Sequence, residues 1–70
     1  MKPVYITKRH IDHERTGKLI RAARVRRKLS IATVAAASGM SSPYLSYLER
    51  GDRAWSEETF ELVRSVIEGD

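Results

Sequence analysis

The side chains that could do chemistry fall into two groups. The first is His10-Ile11-Asp12-His13-Glu14, where two imidazoles three residues apart sit beside two carboxylates in the spacing of a helical metal pair. A metal site needs three or four ligands with supporting hydrogen bonds, and nothing elsewhere completes this one. The cluster reads as a polar arm, and no metal or other cofactor is expected. Serine, histidine and acidic residues all occur, but no nucleophile elbow or phosphate-binding glycine loop does, so the chain is not expected to be an enzyme. The second group is cationic. Residues 1–30 hold Lys2, Lys8, Arg9, Arg15, Lys18, Arg21, Arg24, Arg26, Arg27 and Lys28 against Asp12 and Glu14, a net charge of +8. Residues 31–70 carry a net −4, with Arg50, Arg53 and Arg64 against seven acids. A basic half is the electrostatic footprint of a domain that meets nucleic acid; it equally suits an acidic protein partner or a solvated helix face.

Seventy residues bound the scaffold to one domain, and a chain this short buries only about 60% of the surface its unfolded form exposes. Without cysteine it has no disulfides, so helix packing or pairing with a second copy must hold it together, and a reducing cytoplasm suits it. No apolar run approaches the roughly 20 residues of a membrane span, and no secretory signal opens the sequence. A cytoplasmic protein with no membrane partner is expected.

The elements that must position these residues are an arm, residues 1–15, and a helical body, residues 16–70. Pro3 discourages helix, and Val4-Tyr5-Ile6-Thr7 is β-prone, either a short strand or an extended tail. Thr16 is the candidate cap of a first helix running to about Arg27, with Leu19, Ile20 and Ala23 as its apolar stripe and arginines on the other face. Ser30 caps a short second helix with Val34 and Ala35 inward, ended by Gly39. Ser41 or Ser42 caps a third, with Pro43 in its first turn, Leu45 and Leu48 inward, and Gly51 after its end. Ser56 caps a fourth, in which Glu57 and Glu58 favour the helix dipole and Phe60, Val63 and Ile67 form the buried stripe. Trp55 is expected to cover the core between the third and fourth helices, because so small a domain needs its one large ring.

Two short helices joined through a glycine describe a helix-turn-helix, although a generic helical hairpin shares part of the pattern. Small Ala35 lets the second helix pass closely, and Gly39, four residues on, permits a left-handed turn. The residues then become specific: Leu29-Ser30 followed by Val34-Ala35, Gly39-Met40-Ser41, and Ser46-Tyr47-Leu48-Glu49-Arg50-Gly51, an S-x-x-E-x-G ending. With these, the stretch from Leu19 to Ile67 resembles the phage-repressor and Cro-like, or XRE-type, helix-turn-helix family.

That resemblance implies an all-α, repressor-like domain of four helices, or five where the family's last helix is present. Ser42–Arg50 would be the recognition helix, with Ser42, Pro43, Tyr44, Ser46 and Tyr47 toward the bases of a major groove. Ser30, Ile31, Arg50 and Arg53 would lie along the DNA backbone, and Arg24 would pair with Glu49 as a partly buried structural ion pair. There are departures. Ile31 stands where the family usually has a phosphate-touching glutamine, and Lys28 where glycine is common. The recognition helix also lacks Gln, Asn or Arg near its start. Selectivity would then lean on methyl contacts, water and DNA shape, or on the basic arm entering a minor groove. The sequence stops after the fourth helix, leaving the Val4–Thr7 run or a face around Trp55 and Phe60 as expected dimer surfaces. The function implied is a sequence-specific, duplex-DNA-binding transcriptional regulator of phage or mobile-element type, a repressor acting as a homodimer on an inverted repeat. The alternatives are an antitoxin-like module that grips a protein partner and binds DNA secondarily, and an RNA-binding domain using its tyrosines to stack on bases.

Overall fold

In the computed structural model, which describes residues 1–70, a two-stranded antiparallel hairpin precedes four helices. The strands are β1 (Tyr5–Thr7) and β2 (His10–Ile11); the helices are α1 (His13–Arg26), α2 (Ile31–Ala37), α3 (Ser42–Arg50) and α4 (Glu57–Glu68). The β-prone run is thus a strand rather than a tail. Lys8 and Arg9 make the two-residue turn, and neither has the positive φ that the tightest hairpin turns demand. The register compensates: Tyr5 pairs with Ile11 and Thr7 with His10, so Ile6 falls at an irregularity and is 69% exposed.

The first helix begins three residues before the expected cap. Asp12 caps it, its Oδ1 accepting the Arg15 N–H at 2.9 Å. Thr16 is fully buried inside the helix, and its hydroxyl is engaged elsewhere, accepting the Val4 N–H at 3.0 Å and donating to the Val4 carbonyl at 3.3 Å. The threonine therefore fastens the arm to α1. Elsewhere the serines cap as their positions suggest: Ser30, Ser41 and Ser56 accept from the N–H groups of Thr33, Tyr44 and Thr59 at 3.0, 3.2 and 3.0 Å. Between α2 and α3, Gly39 takes φ +71°, and the N–H groups of Gly39 and Met40 return to Ala36 and Ala35. The same closing motif ends α1, where the N–H groups of Lys28 and Leu29 return to Val25 and Arg24, but there a lysine occupies the left-handed position at φ +58°.

Ile20, Ala23, Val34, Ala35, Leu45, Leu48, Trp55, Phe60, Val63 and Ile67 form one core, with contributions from every helix. Trp55 and Phe60 pack edge to face at 5.9 Å, and the indole N–H donates to the Leu48 carbonyl at 3.0 Å. This overturns the expectation of a dimer surface there: Trp55 and Phe60 are 4% and 2% exposed, both taken up in the core. No helix is long and apolar enough to cross a membrane.

Candidate nucleic-acid interface

The exposed side of α3 follows from which of its residues the core consumes. Leu45, Leu48 and Glu49 point inward, so at 3.6 residues per turn Pro43, Tyr44, Tyr47 and Arg50 are left outward, with Ser42 and Ser46 half-buried at the margins. Tyr44 and Tyr47 are 38% and 40% exposed. Tyr47 lies between two cations: the guanidinium carbons of Arg50 and Arg53 are 5.0 and 5.4 Å from its ring centroid. Arg50 also donates to Ser46 Oγ at 2.9 Å and to Asp52 at 3.1 Å. Ser46, Tyr47, Arg50 and Arg53 thus form one polar cluster at the C-terminal half of the helix, while Pro43 and Tyr44 present an apolar and aromatic surface near its start.

A buried ion pair fixes this helix in place. Arg24 Nε and Nη2 donate to the two oxygens of Glu49 at 2.7 and 3.0 Å, and Nη1 donates to the Leu29 carbonyl at 2.8 Å. Both residues are nearly inaccessible, at 7% and 4% exposed. One guanidinium therefore ties α3 to α1 and to the loop that leads into α2. Gly17 has a matching role: a Cβ there would lie 2.5 Å from the Leu48 carbonyl oxygen and 2.7 Å from the Glu49 carbonyl carbon, so only glycine lets α1 pass the end of α3 this closely. The sequence reading overlooked Gly17, although a glycine inside a helix signals close packing.

Between α1 and α3 lies an open groove lined by Glu14, Lys18, Arg21, Ile31, Ser46, Arg50 and the Arg24–Glu49 pair, with Lys18 3.8 Å from Glu14. Lys18 and Arg21 were not among the expected contact residues; their spacing of three from each other, and of Arg21 from Arg24, already placed them on one side of α1. Ile31 is half-buried against the core, so its side chain offers no hydrogen bond to a phosphate. Ser30 spends its hydroxyl on the cap and on Thr33 Oγ1, 2.9 Å away.

The charge is less cancelled than the composition suggests. Eight of the thirteen cations have no carboxylate within 4.0 Å, namely Lys2, Lys8, Arg9, Arg21, Arg26, Arg27, Lys28 and Arg53. The histidines are used structurally: His13 Nδ1 accepts the Trp55 backbone N–H at 2.9 Å, and His10 Nδ1 lies 2.9 Å from Thr7 Oγ1. No three His, Cys, Asp or Glu side chains gather where they could hold a metal.

With this geometry in view, comparison with known proteins is decisive. The model of the helix-turn-helix family, XRE type, matches residues 20–67. The chain belongs to this family. Curated relatives from Mycobacterium bovis and from two strains of Mycobacterium tuberculosis, each named an uncharacterized HTH-type transcriptional regulator, are 44% identical over 57 residues. That alignment takes in 81% of this chain but 22% of each relative, so the chain spans about a fifth of their length. No solved structure matches the chain significantly. The matched stretch takes in α2 and α3 with the glycine turn between them.

Proposed function

We propose that this helix-turn-helix domain is a DNA-binding transcriptional regulator that places α3 in a major groove. The observation that carries the reading is the outward side of α3, where two half-exposed tyrosines stand on a helix locked by the buried Arg24–Glu49 pair, with Arg50 and Arg53 stacked on Tyr47. Pro43 and the Tyr44 ring offer apolar contact to thymine methyls, and Ser42, Ser46 and the Tyr47 hydroxyl can hydrogen-bond base edges. Arg53 and the two groove cations, Lys18 and Arg21, neutralise backbone phosphates, and the backbone N–H groups at the start of α2, beside Ser30 and Ile31, can hydrogen-bond a phosphate oxygen. Phosphate contacts set orientation; the side chains of α3 set sequence.

The reading extends to a repressor bound as a dimer on an inverted repeat. Half-sites one helical turn apart would lie about 34 Å from centre to centre. Selection of bound sequences from a randomised duplex pool, with binding followed against salt, tests this. An inverted repeat should emerge, affinity should fall steeply with salt, and Tyr47→Ala should lose selectivity. Weak, sequence-blind binding that is indifferent to Tyr47→Ala would remove α3 from the recognition role.

A further inference from the structure

We propose that the β-hairpin is a second DNA-contacting element, its turn residues Lys8 and Arg9 neutralising phosphates beside those held by Arg53; this rests on the DNA-binding reading above. Three observations carry it. The first is that the hairpin is anchored. Val4 exchanges two hydrogen bonds with Thr16, the Asp12 N–H returns to the Val4 carbonyl at 2.7 Å, and the Tyr5 hydroxyl donates to Glu57 at 3.1 Å. Ile11 packs against the core from the second strand. The tip is therefore presented by a fixed scaffold, and little ordering entropy remains to be lost when it meets a ligand.

The second is charge. Lys8 and Arg9 are exposed and, like Lys2, Arg21, Arg26, Arg27, Lys28 and Arg53, have no carboxylate within 4.0 Å. The one acid bordering the cleft beneath the hairpin, Glu57, is engaged by Tyr5. The tip is thus a site of uncompensated positive charge.

The third is placement. Lys8 and Arg9 border one cleft with Trp55 and Ser56, and Trp55 is held to the hairpin side of the domain by its N–H bond to His13. Two residues before Trp55 is Arg53, stacked on Tyr47 of α3. The α3–α4 loop therefore carries both Arg53, beside Tyr47, and Trp55, which borders the cleft under the hairpin turn. A polyanion lying along α3 and Arg53 continues past the loop toward the tip. An acidic protein would match the charge but not this continuity with α3, and both turn side chains are cations, so backbone phosphate is the ligand.

The experiment compares the wild-type chain with Lys8→Gln/Arg9→Gln on the duplex selected above, measuring the dissociation constant from 50 to 200 mM salt. Both side chains are exposed, so thermal melts of the two proteins should coincide. Each phosphate neutralised contributes about 0.9 to the slope of log affinity against log salt, so the double variant should lose about 1.8 from the slope. Its deficit relative to wild type should then shrink about 12-fold across this fourfold change in salt, while the preferred sequence stays the same. An unchanged slope with wild-type binding intact overturns the hairpin contact and leaves the recognition-helix reading standing. Loss of sequence preference with an unchanged slope also overturns it. A wild-type chain that binds no duplex at any salt overturns both.

Discussion

Replacing Arg24 with alanine tests whether the position of α3 depends on one buried side chain. The truncation leaves the Glu49 carboxylate, 4% exposed, without its partner and removes the donor to the Leu29 carbonyl. Breaking a buried pair from one side costs about 3–5 kcal/mol, compared with about 0–1 kcal/mol for an exposed pair. A chain of this length has a total stability of roughly 4–10 kcal/mol, so the loss is a large part of it. Trp55 is the single tryptophan and is buried on Leu48, which makes its fluorescence a direct report of unfolding in urea. With a slope of about 1 kcal/mol per molar urea, expected for so small a chain, the midpoint should fall by about 3 M or more, or the variant should be unfolded without urea. Arg24→Lys keeps the charge but cannot serve both Glu49 oxygens and Leu29 in one plane, so it should fall between. Arg24→Met/Glu49→Leu removes both charges and should recover most of the loss, because the penalty lies in the stranded carboxylate rather than in a missing attraction. A midpoint for Arg24→Ala within the range of a surface pair, or a double variant as unstable as the single one, would refute this account.

Three further perturbations probe other parts of the scaffold. Gly17→Ala should destabilise by about 1–3 kcal/mol, because its Cβ meets the backbone of Leu48 and Glu49 and this outweighs the ~1 kcal/mol of helix propensity gained; a raised urea midpoint would mean that α1 does not approach α3 so closely. Lys28→Gly should stabilise by about 0.5–1 kcal/mol, since the left-handed conformation costs an L-residue about 1–2 kcal/mol and the greater unfolded freedom of glycine offsets only part of that; Lys28→Ala is the control and should show no gain. Arg64 hydrogen-bonds Glu61 and Glu68 and thereby holds both carboxyls below the ordinary glutamate range. Their contribution to stability is complete above the unfolded value of about 4.3 and is lost as pH falls through the depressed folded values. Arg64→Gln should accordingly melt below the parent at pH 7 and converge with it in acid, and a gap that stays constant with pH would contradict this.

Much of the fold was legible along the chain because its signals are local. A capping serine acts on an N–H three residues away, and the stripe Phe60, Val63, Ile67 is set by the helical repeat, so the starts of α2, α3 and α4 and the inward side of α4 follow from the residues themselves. The outward position of Tyr44 and Tyr47 follows equally from the inward position of Leu45 and Leu48. What tertiary structure alone decided involves partners far apart in sequence. Thr16 was the expected cap of α1, and Asp12 takes that place while the Thr16 hydroxyl meets Val4, twelve residues away. The hairpin's orientation depends on Tyr5 reaching Glu57 across 52 residues, and on Trp55 reaching back 42 residues to His13. The burial of Trp55 and Phe60 and the tight passage at Gly17 are likewise properties of two elements in contact. Sequence by itself determined which helices form and which sides they bury, since those depend on torsion preferences and periodicity within a few residues. Only the packed chain decided which cations go unpaired and where the basic arm is held, since those depend on distances that no local rule encodes.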